Sequence, residues 1–402
     1  MRLCALLRRH ACLLALAAIA LPLACAGKKR APPLIAEGPP TTGQAGAASG
    51  LMLGDVEQPP TGACGSESIP AVSDPPNIEF ILDRSGSMGD ELIPGSGISK
   101  YANAYRALKK VLMAVGHRVN YGITIYPAPS DDPNDDGCRP PLELSKVQPG
   151  DPPSYARAGE VGEHLKSILD RLSIAGVGGN TPTADALTQA LGSLSKLEGT
   201  TYVVLITDGA PNCGHDLMCD RSGCIPNIEG TPVYGLDCSK PVNCCQPSDQ
   251  FPYANEACVD SEASVAAVKA LADAGIKTFV VGMRGSEPYE RLLGDMAEAG
   301  GTARPGDTEY YPVTDADALS ESLIGIAASV AISCDIPLDY EPPDPDFVNV
   351  YFDGVLVEYD PEAGWEWTGD GQVAIRGAAC EQLMAGDVLE VQVLAGCKTV
   401  VK

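Results

Sequence analysis

Positive charge is scarce in this 402-residue chain, where 28 lysines and arginines face 53 aspartates and glutamates. The formal net charge of −25 excludes nucleic acid as a partner, because phosphate backbones are bound through lysine and arginine. Direct adsorption to anionic lipid is excluded on the same ground. Histidine is also thin: His10, His117, His164 and His215 are the four, and none has the context of a catalytic triad. Ser87 falls on a strand-to-helix turn, as nucleophilic serines do, but Ser85-Gly-Ser-Met-Gly89 does not fit G-x-S-x-G. A serine hydrolase therefore finds little support, and the chain is read as a binding protein rather than an enzyme. No paired C-x₂-C spacing occurs, which argues against structural zinc despite clustered cysteines. The N-terminal apolar run, Ala11–Leu23, is shorter than the roughly 20 residues that cross a bilayer.

Arg2, Arg8 and Arg9 precede that run and Ala24-Cys25 closes it, the pattern of a secretory signal over residues 1–24. Leu21-Pro-Leu-Ala-Cys25 resembles the lipobox of bacterial lipoproteins, in which the cysteine is lipidated and becomes the new N-terminus. Pro22 departs from that pattern, where leucine is usual. Ala26 resembles lipoproteins sent to the outer membrane, so contact with the membrane is expected only through the lipid. Ordinary cleavage nearby, releasing a soluble protein, is the alternative. Either way Cys4, Cys12 and Cys25 leave the count of fifteen cysteines, and the remaining twelve read as up to six disulfides in an exported chain. Loss of the three arginines leaves 25 basic residues and a net charge of about −28, which favours divalent cations and basic surfaces. Residues 25–74 are rich in Pro, Gly and Ala without periodicity, and read as a flexible tether.

From Pro75 onward apolar strands alternate with helical periodicity. Ile78–Leu82, Val119–Tyr126, Tyr202–Thr207 and Ile276–Gly282 are expected as strands. Tyr101–Val115, Val161–Leu172, Ala184–Leu194, Ser264–Ala274, Pro288–Ala299 and Ala316–Val330 are expected as helices. The alternation predicts an α/β fold with a mostly parallel central sheet covered by helices on both faces. Residues 335–402 lose the helical signal and predict a small β-rich module, with a hairpin at Asp353-Gly354 and a helical turn near Glu381–Met384. Trp365 and Trp367 are its large aromatics.

The first strand ends abruptly in Asp83, Ser85 and Ser87, with Gly86 allowing a sharp turn. In parallel sheets ligands bind beyond the carboxyl ends of strands, near the topological switch point. One carboxylate and two hydroxyls there are hard oxygen donors suited to Mg²⁺ or Mn²⁺. Thr181 lies in a loop before a helix, and Asp208 closes the strand Tyr202–Thr207. Together Asp83, Ser85, Ser87, Thr181 and Asp208 resemble the metal-ion-dependent adhesion site of the von Willebrand factor A (VWA) domain, over roughly residues 75–334. The resemblance implies a Mg²⁺ (or Mn²⁺) ion that binds a partner protein through its acidic side chain. Thr181 matches the threonine ligand, six residues before Leu187, which leaves Thr183 to cap the helix. A structural envelope component, in which the metal only stabilises the fold, is the alternative.

Two insertions are expected to rise beside this site, 127–155 with Cys138 and 209–260 with Cys213, Cys219, Cys224, Cys238, Cys244, Cys245 and Cys258. These eight predict four disulfides in a cap close to the metal, with 105 connectivities open. The remaining four are expected to pair as Cys64–Cys334, as in some VWA domains, and Cys380–Cys397. Asp132, Asn134, Asp136 and Glu143, with Gly137, match the EF-hand calcium loop, making Ca²⁺ a second candidate cofactor. Pro140-Pro141 oppose the exiting helix of that motif, so a solvated acidic turn is the competing reading.

Overall fold

The computed structural model describes residues 67–68 and 75–401, apart from 133–134, 136, 215, 234, 332, 339–341, 343, 370, 385–387 and 389–390. The signal, Cys25, Cys64, Asn134, Asp136 and most of the tether lie outside the described residues. Residues Glu67–Ser68 form a short strand, β1. The central sheet follows, with β2 (Asn77–Asp83), β3 (Asn120–Tyr126), β4 (Leu142–Pro149), β5 (Thr201–Thr207), β6 (Lys277–Met283) and β7 (Tyr311–Val313). Their order is β4-β3-β2-β5-β6-β7, and every neighbouring pair is parallel except β3–β4. The chain steps outward from β2 to β4 and returns to β5 on the other side. The carboxyl ends of β2 and β5 therefore flank the switch point.

Helices α1 (Lys100–Val115), α2 (Pro153–Ala158), α3 (Glu163–Ala175), α4 (Thr183–Leu194), α5 (Ile225–Glu229), α6 (Ser261–Asp273), α7 (Glu290–Ala299) and α8 (Ala316–Ala331) complete this part. Strand alternation decides which face each residue serves. Ile78, Phe80 and Leu82 join one apolar cluster with α1, α3 and α8. Ile81 joins the other, with α4, α6 and α7. Both faces are covered, so the inner strands are mostly apolar, with buried polar exceptions such as Glu79 and Thr124.

The expected insertion at 127–155 is in part sheet: Leu142–Pro149 is the antiparallel edge strand β4. Its alternation is weak because one side meets solvent and register shifts interrupt its pairing with β3 near Ile123. Glu79 is buried beneath this irregularity. Thr124 donates a 2.7 Å hydrogen bond to its Oε1, and a side chain at Gly122 would collide with its carboxyl group. Glycine at 122 is thus what lets an acid lie across the strand.

In the C-terminal module β8 (Asp335–Pro337), β12 (Gln372–Ile375) and β11 (Trp365–Gly369) form one sheet. β9 (Val348–Phe352), β10 (Val355–Val357) and β13 (Val391–Ala395) form the other, with α9 (Gly377–Met384) beside them. The hairpin stands at Asp353-Gly354, both residues at positive φ. β1 pairs with β13, so the segment read as tether adds an edge strand to this module. Trp365 fills the core and its Nε1 donates to the Val357 carbonyl at 3.0 Å.

The expected pairings of Cys64 with Cys334 and of Cys380 with Cys397 are corrected. Cys334 is bonded to Cys380, because β8 pairs with β12 and brings Cys334 to the start of α9 with Cα atoms 5.7 Å apart. Cys397 is also disulfide-bonded. The eight insertion cysteines pair among themselves as Cys138–Cys213, Cys219–Cys258, Cys224–Cys245 and Cys238–Cys244. Non-reducing peptide mapping should return these four bridges and Cys334–Cys380, and a Cys380–Cys397 peptide would contradict the module's fold.

Burial raises the Glu79 carboxyl pKa to about 8, against the opposing Thr124 hydrogen bond and with help from Glu143. The folded state therefore holds a proton that the unfolded chain releases near pH 4.5. This contribution to stability is complete below pH 4.5 and is lost as pH rises towards 8, at ~1.4 kcal/mol per pKa unit. Glu79→Gln should leave the melting temperature near wild type at pH 4.5 and raise it progressively above wild type by pH 8. A constant difference across that range would refute the buried-acid reading.

Candidate functional site

The strand β2 runs buried along its whole length and ends on Asp83, which is fully enclosed. The Ser85 amide donates to Asp83 Oδ1 at 2.7 Å, turning the chain back over the strand end. Ser85 and Ser87 Oγ atoms lie 3.2 Å apart. On the neighbouring strand Thr207 Oγ1 donates to Asp83 Oδ2 at 2.7 Å, while Asp208 follows at the sheet edge. Ser87 Oγ donates to Asp208 Oδ1 at 2.9 Å. Four of the five residues named from the sequence are thus joined in one hydrogen-bonded group.

Thr181 reaches the same edge through its backbone. Its amide donates to Asn212 Oδ1 at 2.7 Å, and the Asn212 amide returns a bond to the Thr181 carbonyl at 2.9 Å. Gly86 donates to the Gly179 carbonyl at 3.0 Å, docking the Thr181 loop onto the Ser85–Ser87 turn. Thr183 does not cap α4 as expected. Pro182 holds the cap position, and the Thr183 hydroxyl turns inward to the Thr181 carbonyl at 3.4 Å.

Several residues that complete the site were not singled out from the sequence. Arg84, buried between Asp83 and Ser85, donates to the Gly176 carbonyl at 2.9 Å and to the Pro127 carbonyl at 2.7 Å. One side chain therefore ties together the loops that follow β2, β3 and α3. Arg139 donates to the carbonyls of Ala128 and Gly178 in parallel with it. Lys100, the first residue of α1, places Nζ 2.6 Å from Asp208 Oδ2, with both side chains buried. Thr207 and Asn212 stand beside named residues but act on Asp83 and Thr181 through bonds that only the fold creates.

Burial drives the Asp83 carboxyl upward, and the nearby Asp208 carboxylate adds to the shift. Asp208 is raised by burial too, against the stabilising pull of Lys100. Both shifts oppose ionisation, so the two carboxyls resist carrying full negative charge side by side unless a cation joins them. Two carboxylates and three hydroxyls, with no sulfur or imidazole among them, form a donor set that fits a small hard cation. The Ser87 hydroxyl bonds Ser85 and Asp208, while His164 stacks on Tyr121 near the amino end of β3, the opposite edge.

The acidic loop is arranged differently from a calcium loop where it is described. Asp135, not one of the motif's ligands, pairs with Arg139 at 2.8 Å and caps Gly137. Glu143 sits in β4 opposite Thr124, on a strand rather than an exiting helix. Gly137 instead accepts from the Asn180 amide at 2.9 Å, so this loop supports Thr181. The Cys138–Cys213 bridge closes around the same loop, joining segments on either side of it. Beside it a cleft of about 770 Å³ is lined by Asn180, Asn212, Ile225, Phe251, Tyr253 and Glu256, among others. Cys219, Cys245 and Cys258 sulfurs cluster closely, but each is committed to a disulfide.

No protein-family model matches the chain. It is similar to the uncharacterized protein YwmC of Bacillus subtilis (strain 168), at 26% identity over 142 residues, which is 35% of this chain and 57% of that protein. Among solved structures it is similar to the PilB minor pilin from Streptococcus sanguinis, with TM-score 0.41 and 17% identity, over 66% of this chain and 62% of that one. It is similar also to the vWF domain of the type V pili tip protein Mfa5 from Porphyromonas gingivalis, with TM-score 0.37 and 13% identity, over 67% and 98% of the two chains. The strand order, with the oxygen donors gathered at its carboxyl edge, is that of a VWA-like fold.

Proposed function

We propose that this domain binds a partner protein through a divalent cation, Mg²⁺ or Mn²⁺, on an exported and lipid-anchored surface protein. Asp83, Ser85, Ser87, Thr181 and Asp208 would hold the ion. The ion would supply a positive centre that an acidic side chain of the partner completes. The observation that carries the reading is the enclosure of Asp83 beside Asp208 within one group of oxygen donors. Burying two carboxylates side by side is unfavourable unless a cation joins them. Neutral hydroxyls supply the other donors, so they add no further negative charge against an anionic partner. The disulfide-linked cap and its cleft beside Thr181 offer a shaped surface for the rest of that partner.

Titration of metal-stripped protein with Mn²⁺ should show one site, and Asp83→Ala should weaken it by about a hundredfold or more. Because the substitution removes a desolvated charge, the metal-free melting temperature of Asp83→Ala should equal or exceed wild type. Capture of the surface partner should need Mg²⁺ and fail in EDTA or with Asp83→Ala; capture undiminished in EDTA would sink the metal bridge. Arg84→Met keeps all five oxygen donors but removes two charge-assisted bonds, each worth about 1.5–3 kcal/mol. It should lower stability in urea and weaken Mn²⁺ binding less than Asp83→Ala does.

A further inference from the structure

Lys100 occupies a position that local electrostatics disfavours. It is the first residue of α1, at the positive end of the helix dipole, and the first turn holds no acid. Ser99 caps the helix by accepting from the Ala102 amide at 3.1 Å, so the helix start does not need the lysine. The side chain nevertheless runs inward, is only 7% exposed, and places Nζ 2.6 Å from Asp208 Oδ2. Gly285 packs over it so closely that a side-chain carbon there would lie 3.0 Å from Nζ. The ammonium is thus enclosed and aimed at one oxygen of one site residue.

Asp208 has both oxygens engaged, Oδ1 by the Ser87 hydroxyl and Oδ2 by Lys100. Asp83 has no cation within its own hydrogen-bond shell, which consists of the Ser85 amide and the Thr207 hydroxyl. Two unopposed carboxylates would cancel the charge of a divalent ion. With one of them paired to an ammonium, the ion retains about one positive charge.

We propose that Lys100 is a resident counter-ion of the metal site, which lowers affinity for the cation alone and preserves the charge that attracts an anionic ligand. This inference rests on the metal-bridge reading of the site. Lys100 is a positioning residue here: it acts on the ion through Asp208 and by repulsion across the site. Its loss therefore has effects of opposite sign, whereas a lysine needed only for packing would weaken every function together.

The test is a Mn²⁺ titration of the metal-stripped full chain, with and without excess acetate as the carboxylate probe. In wild type, acetate should tighten Mn²⁺ binding. In Lys100→Gln, which keeps a donor for Asp208, Mn²⁺ alone should bind at least about tenfold tighter, and the gain from acetate should shrink. Lys100→Arg should behave as wild type, because the charge remains. Mn²⁺ binding no tighter in Lys100→Gln than in wild type, or an unchanged acetate effect, overturns the counter-ion role while leaving the metal site intact. Absence of Mn²⁺ binding in both proteins removes the metal reading, and the inference with it.

Discussion

Two carboxylates enclosed at the ends of neighbouring parallel strands are the constraint on which this domain is organised. Asp83 ends β2 and Asp208 follows β5, the strands between which the sheet changes winding direction. Neither can escape to water, because each is held by donors from the other strand or from an adjoining turn. Their mutual repulsion is fixed into the fold by the pairing of two apolar strands. Burial of those strands supplies the free energy that keeps the acids together.

The loops around the edge answer that constraint. A chain this poor in positive charge places Arg84, Arg139 and Lys100 around one end of one sheet. The two arginines donate to backbone carbonyls and fix the loops, Arg139 also pairing with Asp135, and neither hydrogen-bonds a site carboxylate. Among the described residues, Lys100 makes the ion pair with a site carboxylate. The Cys138–Cys213 bridge and the reciprocal Thr181–Asn212 bonds then clamp the Thr181 loop from the cap side. A flat sheet edge becomes a site with fixed donors because three different kinds of restraint converge on it.

Much of this was legible in the sequence, and the reasons are local. β2, β5 and β6 are mostly apolar runs because both their faces are covered, and the residue that ends β2 or follows β5 is an aspartate. The strand β4 was hidden because an edge strand with interrupted register lacks clean alternation. Strands of three residues, such as β7 and β8, are too short to show a period. Half-cystine pairing was legible only as a set: the eight insertion cysteines form the four bridges expected among them, but Cys334 finds Cys380 only after β8 has joined β12. Thr183 looked like a helix cap by residue type, but Pro182 occupies that position and the hydroxyl faces the Thr181 carbonyl.

Lys100 shows where an unread signal lay. A lysine at the first position of a helix, with no acid in the turn, is a local mismatch that the helix itself cannot relieve. Such a mismatch persists when a tertiary partner compensates it, and here the partner is Asp208. Each member would be costly alone: the acid would add to the repulsion with Asp83, and the ammonium would be a buried charge at a positive helix end. The pair is thus conditional in both directions, and the electrostatics of the sheet edge and of α1 form one balance. That balance joins the choice of residue 100 to the charge available at Asp83, more than 15 residues earlier in sequence and one strand away in space.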